Sequence, residues 1–476
     1  MPSRHLMLRE QVPPALREGL RLLRASLGVP RDFPRAVLAE AEEAAANPIL
    51  PELDRTDLPF ITIDPEGSTD LDQAVHLARS GDGFCLHYAI ADVAAFVRPG
   101  GLIDAEAHRR GQTFYAPTSR TPLHPPVLSE GAASLLPGQT RPALLWELQL
   151  DAEGRTTAAV VRRALVRSRQ QLTYVGVQAA LDAGTTDEQL QLLAEVGRLR
   201  EGLERERGGV SLPVPEQEIV AHGERWELTY RATLPVEGWN AQISLATGMA
   251  AAQIMLEGGL GVLRTLPPAR DSSLGKLRRI AAALGLRWPG SMSYPEFVRS
   301  LGASTPANAA MLNACTLLFR GAGYQAFDGA PPEQKLHAAI AAPYAHTTAP
   351  LRRLVDRYVG EVCLAHCAGT AVPDWASSAL ADLPAELEES DRRAKKYDRG
   401  IVDLVEALVL APRLGQSFTG TVLESDPEDG TGTLQLADPA VEATIRGDDL
   451  VLGEQVTATL VAADLLSGKV AFRVLD

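Results

Sequence analysis

ITIDPEGSTDLDQAV, residues 61–75, runs from a β-rich stretch into a Pro-Glu-Gly-Ser turn and out again through Asp70 and Asp72. Phe60-Ile61-Thr62-Ile63 has the composition of a strand and delivers Asp64 to the turn. Asp70 and Asp72 are two apart, so an extended backbone points both to one side, and the turn can fold them back toward Asp64. Three carboxylates on one spot repel one another unless a hard cation lies between them. Mg²⁺ is the expected occupant, with Mn²⁺ as a substitute, because it takes oxygen ligands and completes its shell with water and substrate phosphate. The chemistry that wants this arrangement is phosphodiester hydrolysis, in which the cation activates water and stabilises the departing oxyanion. An isolated D-x₅-D-x-D is also compatible with an exposed acidic turn, so its company decides.

The rest of the chain bounds the answer. With 476 residues, 45% hydrophobic and 22% charged, it has room for two to four globular domains and a large core. No run of about 18 apolar residues exists to span a membrane. The N-terminal MPSRHLMLREQVPP lacks an apolar export segment. Cys85, Cys315, Cys363 and Cys367 are too few for a disulfide framework, so a reducing cytoplasm is expected; the protein is separately expected to be a monomer. The net charge of −14 argues against a uniformly basic nucleic-acid binder. Basic residues are nevertheless bunched: Arg162, Arg163, Arg167 and Arg169; Arg352, Arg353 and Arg357; and Arg392, Arg393, Lys395 and Lys396. A local basic channel or a solvated face would each account for such bunches.

Three regions are expected, in a mixed α/β protein. Residues 1–57 read as helical, with leucines on one face of 15–23, a proline-opened helix over 34–46 and the turn Gly28-Val29-Pro30 between them. The pair is either a helix-turn-helix docking unit or a packing appendage. Residues 58–412 form a body in which strand-like runs at 60–63 and 83–91 precede helical periodicity at 190–207, 240–257, 272–285, 306–320, 350–367 and 386–411. Residues 416–476 carry five strand-like runs, 418–423, 433–436, 441–445, 455–460 and 469–474, the footprint of a five-stranded OB-fold barrel. This barrel is poor in the aromatics that usually stack single strands, so RNA binding and a purely structural role are both open.

Several ordered blocks resemble the ribonuclease II family. ITIDPEGSTDLDQAV is similar to its aspartate signature. IADVAAFVRPGGLIDAEAHRRGQTFYAP (90–117), PLHPPVLSEGAASLLPGQTRPAL (122–144), QLTYVGV (171–177) and YAHTTAPLRRLVDR (344–357) resemble later blocks, and GVPRDFPRAVLAEA (28–41) resembles the lead-in. The resemblance implies an RNB-type catalytic domain closed by an S1-type OB-fold. It also implies Mg²⁺-dependent, 3′-to-5′ hydrolysis of single-stranded RNA to nucleoside 5′-monophosphates and a short end product.

Carried over by motif, Asp64, Asp70 and Asp72 match three of the family's four clustered aspartates, and Asp72 falls where the chemical step depends most. The fourth position is Gln73, which offers a carbonyl oxygen but removes one charge. Either Gln73 coordinates through its amide, or one ion is held weakly until substrate arrives. Arg352 matches the arginine set against the scissile phosphate, a task that suits a forked, permanently charged guanidinium. Arg353 is a candidate for a neighbouring phosphate, and Tyr174 matches the tyrosine that stacks on a base near the catalytic end. Asp398 is aligned with a glutamate that reads ribose 2′-hydroxyls.

There are departures. Ala89 stands for the family's histidine, Ala349-Pro350-Leu351-Arg352 for its S-P-I-R, and Ala241 or Gln242 for a glutamate. About 57 residues precede the aspartate signature, too few for two cold-shock barrels. The helical head is therefore expected to serve in their place. Gln73 also supports a different class of protein, a catalytically silent RNA-binding regulator on the same fold.

Other signals carry less. Cys363, His366 and Cys367 have irregular spacing for zinc and read as buried helix residues. Gly258-Gly259-Leu260-Gly261 lacks a nucleotide-binding context. Asp426-Pro427-Glu428-Asp429-Gly430 falls where a hairpin turn is needed. His346 is open between substrate contact and a structural hydrogen bond.

Overall fold

The computed structural model describes residues 13–474 apart from 118, 213–215, 223–224, 232, 303–304 and 427. The first twelve residues, with the N-terminal stretch read above, and Pro427 of the expected hairpin turn lie outside the described residues. Prolines set the two leading helices, α1 (Pro14–Ser26) and α2 (Arg35–Ala46), where the first N–H groups have no acceptor to lose. Each buries its face on the protein body. A Cβ on Gly19 of α1 would lie 2.8 Å from Leu404 and from the Leu465 carbonyl. Val37 and Ala41 of α2 join a core with Phe96 and Ile103.

The strands flanking the aspartate turn close on themselves. They are β1 (Phe60–Asp64), β2 (Gln73–Ser80) and β3 (Gly83–Ala91); then, after α3 (Leu102–Arg110) and the small hairpin β4 (Phe114–Ala116) and β5 (Ser119–Thr121), β6 (Thr140–Leu150) and β7 (Thr156–Thr173). The barrel order is β1-β2-β3-β6-β7, with β1 and β7 parallel at closure. Both faces of β1, β3 and most of β6 are covered. Ile61, Tyr88 and Trp146 pack with residues of the later helices, while Phe60, Ala89, Leu145 and Val166 share the core that receives α2. Strands buried on both sides lose the in–out alternation that reveals strands in a sequence. β7 was hidden for a different reason. Its four arginines read as a charged face, yet Arg163 is paired with Asp92 (2.8 Å) and Glu361.

A helical layer follows, comprising α4 (Tyr174–Asp182), α5 (Glu188–Arg207), the hairpin β8 (Glu216–His222) and β9 (Arg225–Arg231), and α6 (Pro235–Gly258). Next come β10 (Leu260–Thr265), α7 (Asp271–Ala283), α8 (Tyr294–Ser300), α9 (Pro306–Cys315), β11 (Gly323–Asp328), α10 (Leu354–Ala368), α11 (Asp374–Ala379) and α12 (Leu383–Leu410). Leu193, Ile243 and Val359 of α5, α6 and α10 join the barrel core. With 28 residues, α12 is about 42 Å long. Leu383 and Leu387 sit in the first barrel's core, and Leu404 to Leu410 in that of the C-terminal barrel.

That second barrel contains β12 (Ser417–Asp426), β13 (Thr431–Leu436), β14 (Val441–Arg446), β15 (Gln455–Asp464) and β16 (Lys469–Val474), closed in the order β12-β13-β14-β16-β15. All five strands read from the sequence are present. Here one face is solvated and the in–out pattern survives, as in the alternating burial of β14.

Candidate active site

The aspartate turn is built by backbone chemistry before its carboxylates are considered. β1 ends at Asp64, opposite Thr173 at the end of β7. Pro65 has no N–H to continue the ladder, and Gly67 takes φ +77°, a left-handed turn that glycine adopts without strain. The returning segment is pinned by buried hydrogen bonds. Ser134 Oγ donates to the Thr69 carbonyl (2.7 Å) and accepts from the Leu71 N–H (2.9 Å), while Gln171 donates to the Ser68 carbonyl (2.8 Å).

Asp72 is buried and held by residues some 280 positions later in the chain. Its Oδ1 accepts from the Leu351 N–H (2.8 Å) and its Oδ2 from Arg352 Nε (2.7 Å). Burial pushes its carboxyl up to about 6; Arg352 pulls it down, and the charge of Asp70 pushes it up again. Asp70 and Asp72 both act on Arg352 and on the Tyr115 hydroxyl, which burial raises to about 12 and which hydrogen-bonds Arg352. Asp64 and Asp72 both act on the buried Tyr88 hydroxyl, whose proton is retained first by desolvation. The carboxylates of the turn thus share one neighbourhood.

They do not converge as closely as the sequence suggested. Among the described residues, no group of three or more His, Cys, Asp and Glu stands close enough to hold a metal ion. Asp70 is paired with Arg120 (2.5 Å) and Asp72 with Arg352, and each guanidinium relieves the repulsion between the carboxylates. Gln73, for which both coordination through the amide and a weakly held ion were open, is hydrogen-bonded at both ends of its side chain. Its Oε1 accepts from Tyr88 Oη (2.6 Å), its Nε2 donates to the Thr348 carbonyl (2.5 Å), and Tyr88 Oη also lies 2.8 Å from Ser244 Oγ. Both ends of the amide are therefore engaged in packing the turn. The donor chemistry still suits Mg²⁺. The available ligands are hard oxygens, the donor type that Mg²⁺ takes.

The remaining candidates divide. Tyr174 opens α4 immediately after Thr173, so it flanks Asp64, and its hydroxyl accepts from Asn240 Nδ2 (3.0 Å). Arg353 is turned away into a bidentate pair with buried Asp356 (2.8 and 2.9 Å), which also caps the Ala349 N–H (2.6 Å). Arg357 is likewise committed to Asp104 (2.5 Å), whereas Arg392, Lys395 and Lys396 are exposed on α12. Asp398 is partly buried, and desolvation raises it to about 6. The α12 carboxylate tied to the arginine block is Asp391, about two helical turns earlier. It pairs with Arg264 (3.1 Å) and accepts from Gln112 (3.2 Å), whose backbone bridges to Arg353. His346 makes a structural bond to Tyr324 Oη (2.8 Å), and burial drives its pKa well down. Cys363 is buried on α10, and His366 meets the Leu260 carbonyl (3.1 Å).

Arg120, Tyr115 and Asp391 were not singled out from the sequence. Tyr115 lies inside a quoted block. Arg120 and Asp391 are ordinary charged residues whose partners are distant in the chain.

An acidic turn on a closed five-stranded barrel, met by an arginine from the turn before a distant helix and followed by a second five-stranded barrel, is the architecture of an RNB-type body with an S1-type closing domain. The chain belongs to the RNB domain family, which it matches over residues 53–367, and residues 416–475 match the RNase II-type exonuclease C-terminal S1 domain. It is 28% identical to Ribonuclease R of Escherichia coli (strain K12) over 429 residues, covering 83% of this chain and 52% of that protein. It is 35% identical to Ribonuclease R of Acidithiobacillus ferrooxidans over 207 residues, 42% and 46% of the two chains. The chain spans about half the length of the curated relatives it matches. Mycoplasma genitalium RNase R in complex with ribose-methylated single-stranded RNA has the same fold, with a TM-score of 0.86 at 19% identity over 97% of this chain and 78% of that one. Yeast Ssd1, described as a pseudonuclease, gives 0.68 at 16% identity over 88% and 55%. Among the described residues no helix is long and apolar enough to cross a membrane.

Proposed function

We propose that this protein hydrolyses single-stranded RNA from its 3′ end, releasing nucleoside 5′-monophosphates and a short terminal fragment, as a cytoplasmic monomer. The observation that carries the reading is the contact of Arg352 with buried Asp72, which brings a cation for phosphate and a carboxylate for metal to one point. Asp64, Asp70 and Asp72 would hold Mg²⁺, or Mn²⁺ in its place. When bound, that ion supplies an activated water and neutralises charge on the phosphate oxygens. Arg352 orients the scissile phosphate through the N–H groups its Asp72 contact leaves over. Tyr174, next to Asp64, stacks on a base at the 3′ end, and we assign ribose recognition to Asp391, beside the arginine block, in preference to Asp398. The test is end-labelled RNA with Mg²⁺ or with EDTA, wild type against Asp72→Asn. Degradation by wild type with Mg²⁺ alone is expected, and equal degradation by both proteins would overturn the assignment.

A second reading, an RNA-binding regulator without activity, is favoured by Gln73, whose amide is engaged away from metal binding. It requires RNA binding without metal and intact RNA at every Mg²⁺ and Mn²⁺ concentration.

A further inference from the structure

Arg120 lies at the aspartate turn, in a position to which none of the motifs gives a role. Its Nη1 donates to Asp70 Oδ1 (2.5 Å), its Nη2 to Thr69 Oγ1 (2.5 Å), and the same guanidinium meets Glu130 Oε1 at 2.8 Å. The Arg120 side chain is 12% exposed and that of Asp70 14%, so the pair is largely withdrawn from water. Thr69 closes the ring by donating to Glu130 Oε2 (3.3 Å), and Ser134 fixes the backbone beneath it. A surface salt bridge would be labile, but a guanidinium shared among three partners on a pinned turn is not.

We infer that Arg120 is a positioning residue that neutralises Asp70 in place of a second divalent cation, so that this active site holds one such ion per chain. Two observations meet here. Gln73 brings no charge, and both ends of its amide are hydrogen-bonded within the protein, so it adds at most a neutral oxygen already shared with Tyr88. The fixed charges balance in the same sense. The turn carries Asp64, Asp70 and Asp72, and Arg120 and Arg352 pair with Asp70, Glu130 and Asp72; counting these four carboxylates and two guanidinium groups, one divalent cation brings the total to neutrality, and a second would leave it positive even with a phosphate present. The charge that a second cation would bring is supplied by the chain itself.

The inference rests on the proposed metal-dependent reading, and counting ions separates the two. Mn²⁺ bound to the full chain is measured by the loss of free Mn²⁺ paramagnetic resonance signal, with and without a 2′-O-methylated single-stranded RNA. Wild type is expected to bind one Mn²⁺ per chain in both conditions. Arg120→Gln is expected to bind two when the RNA is present, and Arg120→Lys one. Two Mn²⁺ on wild type overturns the inference even if Arg120→Gln does not fold, and so does a count of one on well-folded Arg120→Gln. A wild type that holds two ions and degrades unmodified RNA defeats this inference alone. A wild type that leaves RNA intact with every metal defeats the exoribonuclease reading as well.

Discussion

Arg352 Nε donates to Asp72 Oδ2 across 2.7 Å, and the neighbouring Leu351 N–H takes the other carboxylate oxygen. The two residues come from opposite ends of the matched RNB region, so this contact forms only when the barrel and the helical layer have docked. It also orients the guanidinium. Nε is committed to Asp72 and Tyr115 is bonded to the same group, which fixes the plane of the fork.

Lysine keeps the charge but cannot bond Asp72 and clamp a phosphate with one planar group. Arg352→Lys should therefore lower kcat by about 10²-fold, the scale of losing one aligned donor to developing charge, with a much smaller change in RNA affinity. Single-turnover degradation and filter binding measure the two separately. An unchanged kcat would move the phosphate contact elsewhere.

Arg353 should behave differently from its neighbour, although both are adjacent arginines in one block. Its loss strands the buried Asp356 carboxylate, which also holds the Ala349 N–H. Breaking one side of such a pair costs about 3–5 kcal/mol, so Arg353→Gln should shift the urea midpoint strongly downward. Activity per folded molecule should stay within about tenfold of wild type. A stable Arg353→Gln protein with weakened RNA binding would instead make Arg353 a substrate contact.

Tyr174 flanks Asp64 and is held by Asn240, which sets the ring beside the turn. If a base stacks there, Tyr174→Ala removes about 1–3 kcal/mol of sequence-independent grip at the last step. The expected result is a longer terminal fragment on a sequencing gel, with the rate on long RNA little altered. A fragment of unchanged length would return Tyr174 to the core.

His124 gives the fold a defined acid sensitivity. Burial first, then the charge of Arg357, lowers it from 6.5 to about 3, against a hydrogen bond to Pro350. Below about pH 6.5 the unfolded chain takes up a proton that the native one refuses until about pH 3, so this residue's contribution to stability falls as pH drops through that window. The loss is at most about 1.4 kcal/mol per pH unit. His124→Gln can keep a donor toward Pro350 and has no proton to take up, so its stability relative to wild type should improve from about pH 7 to about pH 5 in urea titrations. A constant difference would mean that His124 titrates normally.

Local chemistry alone determined a good part of this protein. The five C-terminal strands were legible because one face of that barrel is wet and its alternation survives in the sequence. The aspartate turn was legible because Pro65, Gly67 and the β-rich run before Asp64 dictate a strand that stops and reverses. The long helices were legible from their own periodicity.

Tertiary structure decided the rest. Strand β7 and its arginines could be recognised only once Asp92 and Glu361 were beside Arg163. The same holds for Arg120 with Asp70, Asp391 with Arg264, and the divergence of Arg352 from Arg353. Periodicity reports which face of its own element a side chain occupies. A charge acquires its role from what stands within a few ångströms of it, and that is set only when segments distant in the chain are folded together.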